Sequence, residues 1–158
     1  MKYLVLLSLF VGNQLWASDC PDLTGSFKCP FASETLDAKA YVKDGKWHYE
    51  GDQLNVFGPL IADGIERVIP GYGGNSNVIA RYRAYCHKER LYVEEKTRYS
   101  SGTEDGSRAV FRLRFDRFST KSWYYDEYPQ RQPDAVNWEE DIKGRQVKRD
   151  SSFNCRKI

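Results

Sequence analysis

The residues of this 158-residue chain best suited to chemistry are four cysteines, two histidines and a few adjacent carboxylates. Cys20, Cys29, Cys86 and Cys155 could ligate zinc, form a redox pair or close disulfides. Zinc sites use cysteines roughly two to four residues apart or histidine partners. Here the spacings are 9, 57 and 69, and the only histidines are His48 and His87. An even number of widely spaced cysteines points instead to two disulfides, which persist in oxidising compartments. Glu94 and Glu95 are neighbours, so on a strand they face opposite ways and cannot share one proton. The acidic "WEED" run, Trp138 to Asp141, reads as a solvated surface. "GYGGNS", residues 71–76, is rich in glycine but lacks the Lys-Ser/Thr ending and helix context of a phosphate cradle. No metal and no cofactor is implied.

The beginning of the chain reads as an export signal over residues 1–17. Lys2 supplies the charge, "YLVLLSLFVG" an apolar run of ten, and "LWA" a small residue suited to cleavage. The expected mature chain starts at Ser18 and works in the periplasm or outside the cell. Lipid attachment at Cys20 would need a small residue before it, where Asp19 stands. No later run is long and apolar enough for a membrane-spanning helix. Without Lys2 the balance is 23 basic against 22 acidic residues, which gives no basic excess of the kind that nucleic-acid binders carry. The remaining 141 residues suit one domain, 18–158.

These residues must be positioned by strands, because apolar positions recur with period two. In "AKAYVKDGKWHYE" the Asp44-Gly45 pair predicts a two-residue hairpin turn. It sets Lys43 opposite Lys46, Val42 opposite Trp47, Tyr41 opposite His48, Ala40 opposite Tyr49 and Lys39 opposite Glu50. "NVIARYRAYC" and "RLYVEEKTRY" form a second hairpin if the turn falls at Lys88-Glu89, with Cys86 facing Leu91, Ala84 facing Val93 and Arg83 facing Glu94. "AVFRLRFDRF" alternates Phe111, Leu113 and Phe115 with Arg112, Arg114 and Asp116. Strands are expected at 24–30, 38–43, 46–51, 53–57, 64–69, 77–86, 90–99, 108–117, 121–127 and 146–157, with a loop over 129–136.

About eight to ten amphipathic strands with short turns fit an all-β fold, a single antiparallel up-and-down or meander β-barrel, because closure removes the sheet's edges. A β-sandwich is the alternative. In a closed barrel the first strand lies antiparallel to the last. That favours Cys20 with Cys155 and Cys29 with Cys86. Cys20 with Cys29 and Cys86 with Cys155 is the other pairing considered.

"LTGSF", residues 23–27, resembles the Gly-x-Trp signature that opens the first strand of lipocalin-like (calycin-type) barrels, with Phe27 in place of tryptophan. The resemblance implies that Phe27 plugs the closed end against an arginine of the last strand, Arg156 or Arg149. The opening "CPDLTGSFKC", the "AYC" strand and the closing "CRK" also resemble small exported bacterial β-proteins of unassigned activity. The residues suggest a non-catalytic binding protein for a small apolar or amphipathic ligand, with Trp47, Tyr49, Tyr82, Phe111, Leu113, Phe115 and Trp123 as candidate contacts. An envelope protein-protein interaction or inhibitor role, through a tyrosine-rich outer surface, is the second expectation. An exported hydrolase using His48 or His87 is the third.

Overall fold

A computed structural model describes residues 19–30, 35–51, 59–69, 78–129 and 136–158. The expected signal (1–17), the strand at 53–57, the glycine-rich loop (71–76) and most of the loop at 129–136 lie outside the described residues. Ten strands are described: β1 (Gly25–Lys28), β2 (Thr35–Lys43), β3 (Lys46–Gly51), β4 (Leu60–Ile61), β5 (Glu66–Val68), β6 (Ile79–Cys86), β7 (Leu91–Arg98), β8 (Thr103–Arg114), β9 (Arg117–Pro129) and β10 (Lys148–Lys157). One short helix, α1 (Trp138–Asp141), sits where "WEED" was read as plain surface. The strands form one antiparallel sheet in the order β4-β3-β2-β1-β10-β9-β8-β7-β6-β5.

Turn chemistry sets the registers. Asp44 (φ 51°) and Gly45 (φ 72°) make the turn between β2 and β3, and the pairs from Lys43↔Lys46 to Lys39↔Glu50 follow as expected. Lys88 (φ 49°) and Glu89 (φ 56°) make the same kind of turn without a glycine, and Cys86↔Leu91, Ala84↔Val93 and Arg83↔Glu94 pair across it. The third hairpin corrects the expectation. The turn falls at Phe115-Asp116, joining Arg114 to Arg117, so Phe115 is not a strand residue facing inward but a turn residue 88% exposed. The inward set changes parity there, from Phe111 and Leu113 to Phe118 and Thr120. Phe115 extends the first pattern by one apolar residue and hides the change.

The sheet is strongly curled. Ala62 N–H donates to Trp47 O of β3 (2.9 Å) and Gly64 N–H donates to Ala84 O of β6 (2.8 Å). In a flat sheet β3 and β6, seven places apart in this order, would be separated by about 34 Å. Two residues of chain reach at most about 7 Å. The two edges therefore meet at the connection between β4 and β5. Among the described residues no strand pairing joins β4 to β5, and in that sense the ladder stays open.

The disulfides are Cys20–Cys86 and Cys29–Cys155, which is neither of the expected pairings. The first strand does lie antiparallel to the last, but Phe27 pairs with Lys157 and Lys28 with Arg156. Continuing that register sets Cys29, not Cys20, opposite Cys155. Cys20 belongs to a strap, residues 19–24, that leaves β1 and reaches β6, five places away. Five residues reach at most about 18 Å, against about 24 Å for that separation in a flat sheet, so the strap also requires the curl. Leu23 of the strap is fully buried, Thr24 bonds Ala40 through its hydroxyl, and the Tyr49 hydroxyl donates to Pro21 O (2.9 Å).

Asp63 clasps the place where the edges meet. Its carboxylate accepts two hydrogen bonds from the Arg67 guanidinium and one from Lys46 Nζ of β3, all 2.8 Å, and one from Ile65 N–H at 3.1 Å. Burial opposes ionisation, but these donors outweigh it and hold the carboxyl well below the usual carboxylate range. A depressed folded-state pKa stabilises the fold at pH values above the ordinary aspartate range, and this contribution is lost as acid protonates Asp63. Asp63→Asn is expected to cost about 1–3 kcal/mol at neutral pH, read by urea unfolding. The gap to the wild type should close as both are taken below about pH 3; a gap independent of pH would contradict the clasp.

Candidate functional site

Alternation around the curled sheet sorts the inward side chains into layers. The layer near the strap is apolar: Leu91 pairs with Phe111, Phe111 with Thr120, and Thr120 with Phe153, while the Phe118 ring lies 4.9 Å from Phe27 and 6.1 Å from Phe111. The middle layer is small, running Ala84, Val93, Ala109 and Ser122 across consecutive pairs. The next is polar: Arg67, Tyr82, Glu95, Ser107 and Tyr124 stand in one cross-strand row. A cavity of about 340 Å³ opens at this level, lined by Glu95, Thr97, Asp105, Gly106, Ser107, Tyr124, Tyr125 and Asp126.

Glu95 is the distinctive group there. Burial pushes its carboxyl up from the ordinary glutamate value, and among the described residues it has no hydrogen bond or ion pair. By contrast Asp105 accepts from Tyr99 Oη (2.6 Å) and Asp126 accepts from Lys148 Nζ (3.3 Å). Glu94 behaves oppositely to its neighbour. It points outward, 1% exposed, where Arg83 Nη2 (2.5 Å), Tyr85 Oη (2.9 Å) and Arg108 Nη2 (3.1 Å) meet it. The two carboxylates are on opposite faces, as alternation requires.

The expected contact residues are dispersed. Tyr49 and Phe111 are buried in the apolar cluster, where Trp47 and Leu113 pack against it. Tyr82 stands in the polar row opposite Glu95, and Phe115 is at the exposed turn. Trp123 faces outward. Phe27 is fully buried as the resemblance implies, but neither arginine is its partner: Arg156 bonds Asp116 (3.2 Å) and Arg149 faces an outer groove. Lys157 takes that place. It is paired with Phe27, its Cε would stand 2.7 Å from a Cβ on residue 25, and its Nζ donates to Thr24 O (2.9 Å). Gly25 thus permits the close approach.

Reasoning from the sequence missed Glu95, Thr97, Asp105, Ser107 and Tyr124 as cavity residues. The available signal was the polar end of an otherwise apolar inward face, where Val93 is followed by Glu95 and Thr97. His48 stacks on Tyr41 (centroids 5.2 Å apart), and His87 is exposed beside the turn at Lys88-Glu89. Neither lines the inner cavity. Among the described residues no group of three His, Cys, Asp or Glu could hold a metal.

The outer face of β8 and β9 is partly covered by residues 136–147. Trp138 and Tyr125, both buried, lie 6.0 Å apart. The Arg145 guanidinium sits 4.3 Å above the Tyr125 ring and bonds the buried Glu104, while Arg108 Nη1 reaches Glu139 (2.7 Å). Tyr125 lies directly over Gly106, leaving no room for a Cβ. No family model, no curated protein and no solved structure matches this chain.

The site makes a stability prediction of its own. A raised carboxyl pKa in the fold means that Glu95 contributes least strain when protonated, and that its ionisation costs stability as pH rises above the ordinary glutamate range. Glu95→Gln is expected to be more stable than the wild type at neutral pH and equal to it near pH 4, measured by thermal unfolding in parallel buffers. A neutral-pH loss of stability would show that Glu95 has a structural partner.

Proposed function

We propose that this is an exported, non-catalytic binding protein whose curled sheet works as a lipocalin-like barrel with a non-bonded seam between β4 and β5. It takes a small amphipathic ligand into the inner cavity. The two disulfides suit the oxidising compartment that export reaches. The observation that carries the reading is Glu95, a half-buried carboxyl with no partner among the described residues, facing a cavity of about 340 Å³. Full burial of a polar group without a partner costs free energy, and a group partly withdrawn from water, as Glu95 is, carries a smaller cost of the same kind that a bound donor relieves. With Asp105 and Asp126 in the same lining, the head group that fits best is a cation or a strong hydrogen-bond donor, and a short apolar tail would point past that lining toward the small-residue layer one row away.

The test is calorimetric titration with a medium-chain primary alkylamine, with the alkyl carboxylate of equal length as comparison. The amine should bind and the carboxylate should not, and Glu95→Gln should weaken the amine about tenfold or more. Equal binding of both, or an amine affinity that ignores Glu95→Gln, would overturn the reading.

A further inference from the structure

The outer face of β7 to β10 places like charges together. A depression of about 360 Å³ is lined by Arg90, Arg112, Lys121 and Arg149, with Ser119 and Asn154. Nearby, Arg114 stands directly opposite Arg117 across the turn. Among the described residues none of the four cations in the depression has an ion-pair partner. Among the described residues the outward carboxylates on this side are engaged, Glu94 by Arg83 and Arg108, Glu104 by Arg145 and Asp116, at the turn, by Arg156. The chain as a whole is nearly neutral at +2, so this is a local segregation of charge rather than a general basic character.

Within the depression the cations are neighbours rather than directly opposed, since Arg112 faces Ser119, Lys121 faces Val110 and Ser152, and Arg149 faces Trp123; gathering them on one patch still costs electrostatic repulsion. Such a conflict between local preference and fold is expected where the residues serve a ligand. An acidic group would reverse the sign of the interaction, since guanidinium groups grip phosphate and carboxylate oxygens through paired N–H donors.

A second feature adjoins the first. A cleft of about 390 Å³ shares Arg90, Val110 and Lys121 with the depression, and its far wall includes Tyr92, Trp123 and Trp138. The combined groove therefore has a cationic and polar end and an aromatic and aliphatic end, the latter including Arg108, which Glu94 and Glu139 already pair. This is the outward location of Trp123, which the inner cavity does not use.

We propose that this outer groove binds an anionic amphiphile: a phosphate, sulfate or carboxylate head held by Arg90, Arg112, Lys121 and Arg149, with the apolar body against Tyr92, Trp123 and Trp138. The site is distinct from the Glu95 cavity and opposite to it in charge preference.

Dodecyl phosphate below its micellar concentration is the probe, followed by tryptophan fluorescence and calorimetry, with dodecylamine and inorganic phosphate as comparisons. Dodecyl phosphate should bind more tightly here than either. Lys121→Glu, at an exposed position, and Arg112→Glu should each weaken it about tenfold or more, with the circular dichroism spectrum unchanged. Glu95→Gln should leave dodecyl phosphate binding unaffected. Sedimentation with phosphatidylglycerol vesicles, against phosphatidylcholine alone, separates the two sources of such a ligand. Selective co-sedimentation identifies a membrane head group, and its absence alongside dodecyl phosphate binding identifies a free amphiphile; both support the groove. Inorganic phosphate binding as tightly as dodecyl phosphate, or affinity indifferent to both charge reversals, would overturn the proposal.

Discussion

The short connection between β4 and β5 governs the rest of this molecule. Within two residues the chain leaves a hydrogen bond to β3 and makes one to β6, two strands that a flat sheet would hold far apart. The sheet can satisfy both only by curling on itself. Asp63, clamped by Lys46 from one side and Arg67 from the other, stands where that curl is completed. Once the sheet is curled, period-two alternation acquires a meaning: one set of side chains is enclosed and the other faces out. The strap carrying Cys20 then crosses the apolar end, where Leu23 is buried.

The enclosed set is graded rather than uniform. Phenylalanines fill the end near the strap, small residues occupy the middle, and carboxyl and hydroxyl groups line the opposite end. A uniformly apolar interior would collapse to a solid core with no use for Glu95. A half-buried carboxyl with no partner among the described residues is a cost that the fold carries, and the same is true of the clustered cations outside. The two features are opposite in charge and lie on opposite faces of the sheet, the carboxyl inside on β7 and the cations outside, chiefly on β8, β9 and β10. That separation supports two independent binding preferences on one sheet.

Much of the architecture was legible because short turns transmit register. Asp44-Gly45 determined every pair of its hairpin, and even Lys88-Glu89, a poor turn on paper, placed Cys86 opposite Leu91. What alternation could not supply was the offset between strands distant in sequence. Nothing local states that β1 meets β10 with Cys29 opposite Cys155, and an error of nine residues in that offset was enough to exchange the disulfides. Phe115 misled for a different reason, since a turn residue with an apolar side chain continues a strand pattern by accident. The candidate contacts were chosen for being aromatic and inward, a criterion that finds the solid part of the core. The cavity lies instead where inward residues become polar.

The most direct test of this account is peptide mapping of the unreduced protein by mass spectrometry. A strap that crosses a curled sheet predicts linked fragments joining Cys20 to Cys86 and Cys29 to Cys155. A fragment joining Cys20 to Cys29 or to Cys155 would contradict the strap and the register on which the two faces depend.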